Sequence, residues 1–259
     1  MEETFASLRH RDERALVVFI TGGDPDVSEL PSILRVLEDA GADVIEVGIP
    51  FSDPIADGPT IQASSQRALE RGIRLDDIFE AVFRAGTRVP IVYMGYMNVV
   101  MRRGLREFAQ RARASGAAGV LLSDLPPESA DEWKEAARET GLDTIFLVAP
   151  TTPDERVLFI AGYASGFLYC VSRMGVTGAE NEVPSDVKNL VKRVKQRTSL
   201  PVCVGFGISR PEQVAMVCEM ADGAVVGSYL VELLHQHWGS GKGAEVVRSA
   251  VMRLKAATR

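Results

Sequence analysis

Short β-type runs alternate with amphipathic helical stretches along the whole chain, and eight such runs can be counted. They are ALVVFITGG (15–23), DVIEVGIPF (43–51), PIVYMGYM (90–97), GVLLSDLP (119–126), DTIFLVAP (143–150), GFLYCVSR (166–173), PVCVGFGIS (201–209) and ADGAVVGSY (221–229). Between them lie SELPSILRVLEDAG, LREFAQRARASG, SADEWKEAARETG and PSDVKNLVKRVKQ, with apolar residues three and four apart and, in several, a closing glycine. A parallel strand needs a crossover to reach its neighbour, and a helix is the usual one. Eight such units in 259 residues predict an α/β fold of the single (β/α)8 TIM-barrel class. A doubly wound open sheet fits less well, because the first turn, TGGDPD, lacks the G-x-G-x-x-G of a dinucleotide fold. No linker-like segment interrupts the chain, so residues 1–259 are expected to form one domain. In a barrel of this kind, chemistry belongs at the C-terminal ends of the strands.

Composition narrows the partners. A formal charge of −6 with no stripe of lysine and arginine argues against nucleic acid. No apolar stretch approaches membrane-spanning length, and MEETFASLRHRDERA has no secretory h-region, so neither membrane nor export is expected. Cys170, Cys203 and Cys218 are odd in number, and two lie in apolar runs, as befits a reducing cytoplasm.

The second run breaks its own pattern. In VIEVGIPFSDPIADGP (44–59), alternation puts Val44, Glu46 and Gly48 on one face and Ile45, Val47 and Ile49 on the other. If the second face packs on the helices, Glu46 points into the barrel. Loss of water there favours the neutral acid and raises its pKa towards neutrality, the property of a proton shuttle. The alternative is a buried salt bridge, for which Arg173 is the only arginine within the eight runs. Asp53 and Asp57, in the loop that follows, read from the residues alone as turn chemistry or as further catalytic carboxylates.

Three glycine-bearing segments follow the last runs: GVTGAEN (175–181), GFGIS (205–209) and VGSYL (226–230). Backbone N–H groups after strands seven and eight, with a helix N-terminus, commonly hold an anion, and Ser228 can add a hydroxyl. The six lysines all fall in helical stretches, which leaves no strand-end lysine for a Schiff base. His10, His235 and His237 lie near the termini, and the cysteines lack ligand spacing, so no metal site is expected. Acid–base chemistry by carboxylates on a phosphorylated small molecule remains.

The block EVGIPFSDPIADGPTIQ (46–62), with TGGDP (21–25), Y-x-N (96–98), SDLPPE (123–128), SRMGVTG (172–178) and GFGIS, resembles the tryptophan synthase α-subunit family from about residue 15 to 235. That resemblance implies a (β/α)8 barrel that cleaves indole-3-glycerol phosphate to indole and glyceraldehyde 3-phosphate without a cofactor. By resemblance, Glu46 is the acid/base that protonates indole C3 and removes the glycerol hydroxyl proton, and Asp57 is the carboxylate that takes or stabilises the indole N–H proton. The role of Asp53 is left open. Gly178, Phe206, Gly207, Gly227 and Ser228 match the phosphate cradle, and Phe19, Tyr96, Leu121 and Tyr169 the indole pocket. Residues 172–184 match a mobile lid in which Thr177 would meet the catalytic aspartate. The loop with Pro50, Phe51 and Asp53 resembles the part facing a pyridoxal-phosphate β subunit in an αββα heterotetramer.

Two departures stand out. TGGDP has a glycine where the family often has a larger residue, and MGYMN carries Gly95; slack beside the substrate is the expectation there. The tail after about residue 238 is the least family-like stretch. The rival readings are a stand-alone lyase without a β partner, a non-catalytic activator of a β subunit, and a barrel enzyme for another sugar phosphate.

Overall fold

In the computed structural model, which describes residues 1–171, 184–205 and 207–259, each predicted run contains a strand. These are β1 (Ala15–Thr21), β2 (Val44–Gly48), β3 (Ile91–Gly95), β4 (Ala117–Leu122), β5 (Asp143–Val148), β6 (Leu168–Val171), β7 (Val202–Gly205) and β8 (Gly223–Val226). They pair in parallel in chain order, and β8 returns to β1, closing the barrel. The helices among the described residues are α1 (Glu2–His10), α2 (Leu30–Asp39), α3 (Pro59–Glu70), α4 (Leu75–Ala85), α5 (Met97–Arg103), α6 (Leu105–Ala114), α7 (Asp131–Thr140), α8 (Asp154–Tyr163), α9 (Ser185–Lys195), α10 (Pro211–Cys218), α11 (Ser228–His237) and α12 (Gly243–Ala256). Strand β4 begins at Ala117, two residues before its predicted start, across a register shift against β3 at Ile91 and Val92. The small residues of ASGAAG carry no β signal, so pairing with β3 sets that end.

Alternation along each strand separates two apolar layers. Ile45, Val47 and Ile49 of the β2 segment pack outward with Leu30, Ile33, Leu34 and Leu37, the i, i+3, i+4, i+7 stripe of α2. Val17, Val44, Val92, Leu121, Ile145, Tyr169 and Val225 fill the interior. Phe5 and Leu8 of α1 join that interior cluster, and Phe5 meets Phe167 at 5.9 Å between ring centroids. Phe167 immediately precedes β6, so α1 closes the N-terminal mouth of the barrel. The C-terminal mouth is left for chemistry.

Large rings reach that mouth because neighbouring strands carry glycine. A Cβ on Gly48 would lie 2.5 Å from Phe19 Cζ, and one on Gly205 would lie 2.7 Å from Tyr169 Cζ. Gly48→Ala is therefore expected to cost about 1–3 kcal/mol by overpacking and to tilt the Phe19 ring, read as a lowered thermal unfolding midpoint.

The supposed slack at the two departures is filled. A Cβ on Gly22 would meet Ile78 Cδ1 at 3.0 Å, and one on Gly95 would touch Ile49 at 3.4 Å on the helix-facing side. The C-terminal tail is structural. Helix α12 packs on α2, α10 and α11 and carries Lys255 to Asp43 (2.8 Å) and Glu13 (3.4 Å). Asp43 also accepts the Leu16 N–H at 2.8 Å, tying the start of β2 to β1. Burial pushes the Asp43 carboxyl up, and Lys255 opposes that shift.

Candidate active site

Strand β2 turns Glu46 inward, and the side chain is completely buried. Among the described residues neither carboxylate oxygen has a hydrogen-bond partner. Loss of water alone pushes its pKa up to about 8, so the group holds its proton at neutral pH. Arg173, the alternative partner considered from the sequence, lies outside the described residues. An unpartnered carboxyl in a dry interior is costly, so its surroundings matter.

They form a cavity at the C-terminal mouth. Phe19, Met94, Tyr169 and Val225 supply apolar walls from four strands. Asp57, Gly58 and Ile61 close one side from the start of α3, and Gly207, Gly227 and Ser228 line the side formed after β7 and β8. The cavity brings together Glu46, Asp57, Phe19, Tyr169, Gly207, Gly227 and Ser228 from the sequence expectation. Gly178, Thr177 and Phe206 lie outside the described residues.

Two expected pocket residues take other positions. Leu121 is fully buried in the barrel interior, paired in register with Met94, and Met94 provides the wall instead. Tyr96 stacks on Phe51 at 5.0 Å and 24°. Its hydroxyl accepts the Ala56 N–H at 3.1 Å and faces the Asp57 carboxyl, whose pKa it draws down. Tyr96 therefore acts on the site through Asp57.

Asp57 is half-buried. Burial raises its pKa and the Tyr96 hydrogen bond lowers it. The two carboxyls thus sit in one cavity in different surroundings, one dry and without a partner among the described residues, the other partly wet and beside the Tyr96 hydroxyl. That pairing separates an acid from a charge stabiliser. Asp53 is exposed, accepts the Ser52 hydroxyl at 2.5 Å, and does not line the cavity.

The opposite side suits an anion. Gly207 adopts φ of +76°, a conformation other residues resist, and Ser228 opens α11, where free N–H groups and the helix dipole favour negative charge. A Cβ on Gly227 would lie 3.4 Å from Phe19 Cβ. His10 and His235 are exposed and His237 is half-buried, all outside the cavity lining.

Sequence reasoning missed Met94, Gly58, Ile61, Val225 and Gln62. Alternation from Val92 pointed to Met94, and helical spacing from Asp57 pointed to Ile61. Gln62 donates to the Asp57 carbonyl at 2.8 Å, a contact that no residue pattern announces.

The family profile described as Tryptophan synthase alpha chain matches residues 5–259. The tryptophan synthase alpha chain of Geobacter sulfurreducens is 49% identical over 245 residues, covering 94% of this chain and 93% of the relative. The solved tryptophan synthase subunit alpha of Legionella pneumophila superposes with a TM-score of 0.91 at 36% identity, over 99% of this chain and 97% of that one. A chain from a structure of the tryptophan synthase α2β2 complex of Pyrococcus furiosus, described in terms of mutual activation, matches with a TM-score of 0.87 at 42% identity, over 93% and 98%. With its profile matched over nearly the whole length, this chain belongs to the tryptophan synthase alpha chain family.

Proposed function

We propose that the chain cleaves indole-3-glycerol phosphate to indole and glyceraldehyde 3-phosphate in tryptophan biosynthesis, as a lyase working through Glu46 and Asp57. The observation that carries this reading is the carboxyl of Glu46, dry, protonated and without a partner among the described residues, facing a cavity whose far side is shaped for an anion. The phosphate rests against Gly207, Gly227 and Ser228, and the indole ring lies between Phe19, Met94 and Tyr169.

Glu46 gives its proton to C3, which ends ring aromaticity and places positive charge on the N1 side. Asp57 stabilises that charge by accepting a hydrogen bond from N1–H, which keeps its proton throughout. The carboxylate of Glu46 then removes the proton of the hydroxyl on the carbon attached to C3. The C3–carbon bond breaks, its electrons restore the indole, and the hydroxyl carbon becomes the aldehyde. Glu46 ends protonated, ready for the next turn. General acid–base catalysis of this kind supplies about 10²–10⁴-fold, and orientation by the anion site supplies further rate.

The partner is a tryptophan synthase β subunit in an αββα assembly. Support comes from the exposed apolar loop after β2, where Ile55 is 85% exposed beside Phe51, and from the α2β2 relative. We place the enzyme in the cytoplasm as one domain over residues 1–259. Among the described residues no helix is long and apolar enough to cross a membrane, and the three cysteines are free and buried.

The test is indole release from indole-3-glycerol phosphate by the purified chain, repeated with a β subunit added. Release that increases with the β subunit is expected; no release in either case overturns the reading, and full release by the chain alone points to a stand-alone lyase. Tyr96→Phe removes the hydroxyl that opposes the burial-raised pKa of Asp57. A hydrogen bond to a charged group contributes about 1.5–3 kcal/mol, so kcat is expected to fall about 10- to 100-fold with little change in KM, measured in the same assay.

A further inference from the structure

The TGGDP segment lies outside the lining of the cavity, yet its Asp24 is 4% exposed and is gripped by two arginines of the helix that follows Asp57. Arg67 binds it through both arms, Nε to Oδ1 at 3.0 Å and Nη2 to Oδ2 at 2.6 Å, and Arg71 Nη1 reaches Oδ1 at 3.4 Å. One turn nearer the cavity, Thr21 and Ser64, 2% and 0% exposed, meet oxygen to oxygen at 2.6 Å. Ser64 has one hydroxyl proton, and it goes to the Ile61 carbonyl at 2.8 Å, so Thr21 is the donor to Ser64. Ser64 and Arg67 of α3 and Arg71, the residue that caps it, stand at i, i+3 and i+7, on one face. Gly23, at φ +91°, lets the intervening backbone lie over Ala68 of the same face.

These contacts continue into the site. The Ile61 side chain lines the cavity, and the adjacent Gln62 holds the Asp57 carbonyl at 2.8 Å. The loop before α3 is otherwise open to solvent, with Asp53, Ile55 and Ala56 exposed. Resting on the function proposed above, we infer that Thr21 and Asp24 at the end of β1, with Ser64 and Arg67 on α3, form a clamp that positions Asp57 against the indole nitrogen. They are positioning residues, acting through the carboxylate and not on the substrate.

A clamp of this kind acts on the chemical step. The phosphate is held from the other side of the cavity, so substrate binding is preserved while the Asp57 carboxylate drifts from where charge develops. A misplacement of about 1 Å costs up to about 100-fold in rate. Arg67→Met is expected to lower kcat for indole release about 10- to 100-fold with KM within about threefold of the parent.

The decisive measurement is the same substitution in an Asp57→Asn background, by single-turnover indole release from the full chain. If Arg67 acts through Asp57, the second substitution changes the rate less than about twofold there. An equal loss in both backgrounds, or a rise in KM without loss of kcat, overturns the clamp. Should Arg67→Met not fold by circular dichroism, Ser64→Ala, which removes one hydroxyl, is put through the same cycle with the same criteria. Parent chain that releases indole, and stops on Glu46→Gln, keeps the functional reading intact when the clamp fails. Parent chain without release ends both.

Discussion

Glu46→Gln is expected to lower kcat for indole release by at least about 10²–10⁴-fold while indole-3-glycerol phosphate still binds. Glutamine keeps the shape of the side chain and its place on β2 but has no proton to give to C3 and no base to take the hydroxyl proton back. Both proton transfers run through this one group, so neither half-reaction survives its loss. In the proposed reading, binding rests on the anion side and on the rings of Phe19 and Tyr169, which line the same cavity and are unaltered by the substitution. Loss in kcat at constant KM marks an interaction used only in the transition state. The pH profile gives an independent check. With the Glu46 acid at about 8, parent activity holds near neutrality and falls as pH rises through that value, because the proton needed at C3 is gone. The residual rate of the glutamine variant lacks that alkaline limb. Undiminished kcat in the variant, or an unchanged limb, assigns the acid to another group.

The sequence exposed the barrel and half of its site for a physical reason. Period-two alternation in a strand states which face is buried, so a carboxylate at Glu46 among Val44, Ile45 and Val47 is visible as a broken rule before any coordinate is known. The eight-unit rhythm is a local pattern repeated, and local patterns survive in a linear chain. Roles that depend on meetings across the fold do not. Tyr96 reads as a pocket ring, and only the approach of the β2 loop to the start of α5 turns its hydroxyl towards Asp57. Leu121 and Met94 are adjacent in register and alike in chemistry, and which of them reaches the cavity is set by tilt and depth in the barrel. Asp57 illustrates the same limit: an Asp-Gly pair is ordinary turn chemistry until Gln62 is seen to hold its backbone and Tyr96 to face its carboxyl. The tail after residue 238 has no motif, yet Lys255 crosses 212 positions to reach Asp43.

The catalytic acid should also destabilise the fold that carries it, with a defined pH dependence. Glu46 is raised from 4.5 to about 8 in the folded chain. Below pH 4.5 folded and unfolded chains both hold the proton, and the group contributes nothing to the pH dependence. Between 4.5 and 8 the unfolded chain releases a proton that the folded chain keeps, so stability falls with rising pH at about 1.4 kcal/mol per unit. Above 8 both have released it, and the penalty levels off on the order of 5 kcal/mol. A glutamine at 46 has no such titration. The stability of Glu46→Gln minus that of the parent should therefore climb across this window, measured as urea midpoints from pH 4.5 to 9. Asp43, also raised by burial, is common to both proteins and cancels in the difference. Parallel stability curves would mean that Glu46 is ionised and compensated in the folded chain, and the proton donor for C3 would have to be sought elsewhere. A climbing difference together with lost turnover would show that the fold tolerates a costly buried acid because the reaction needs its proton.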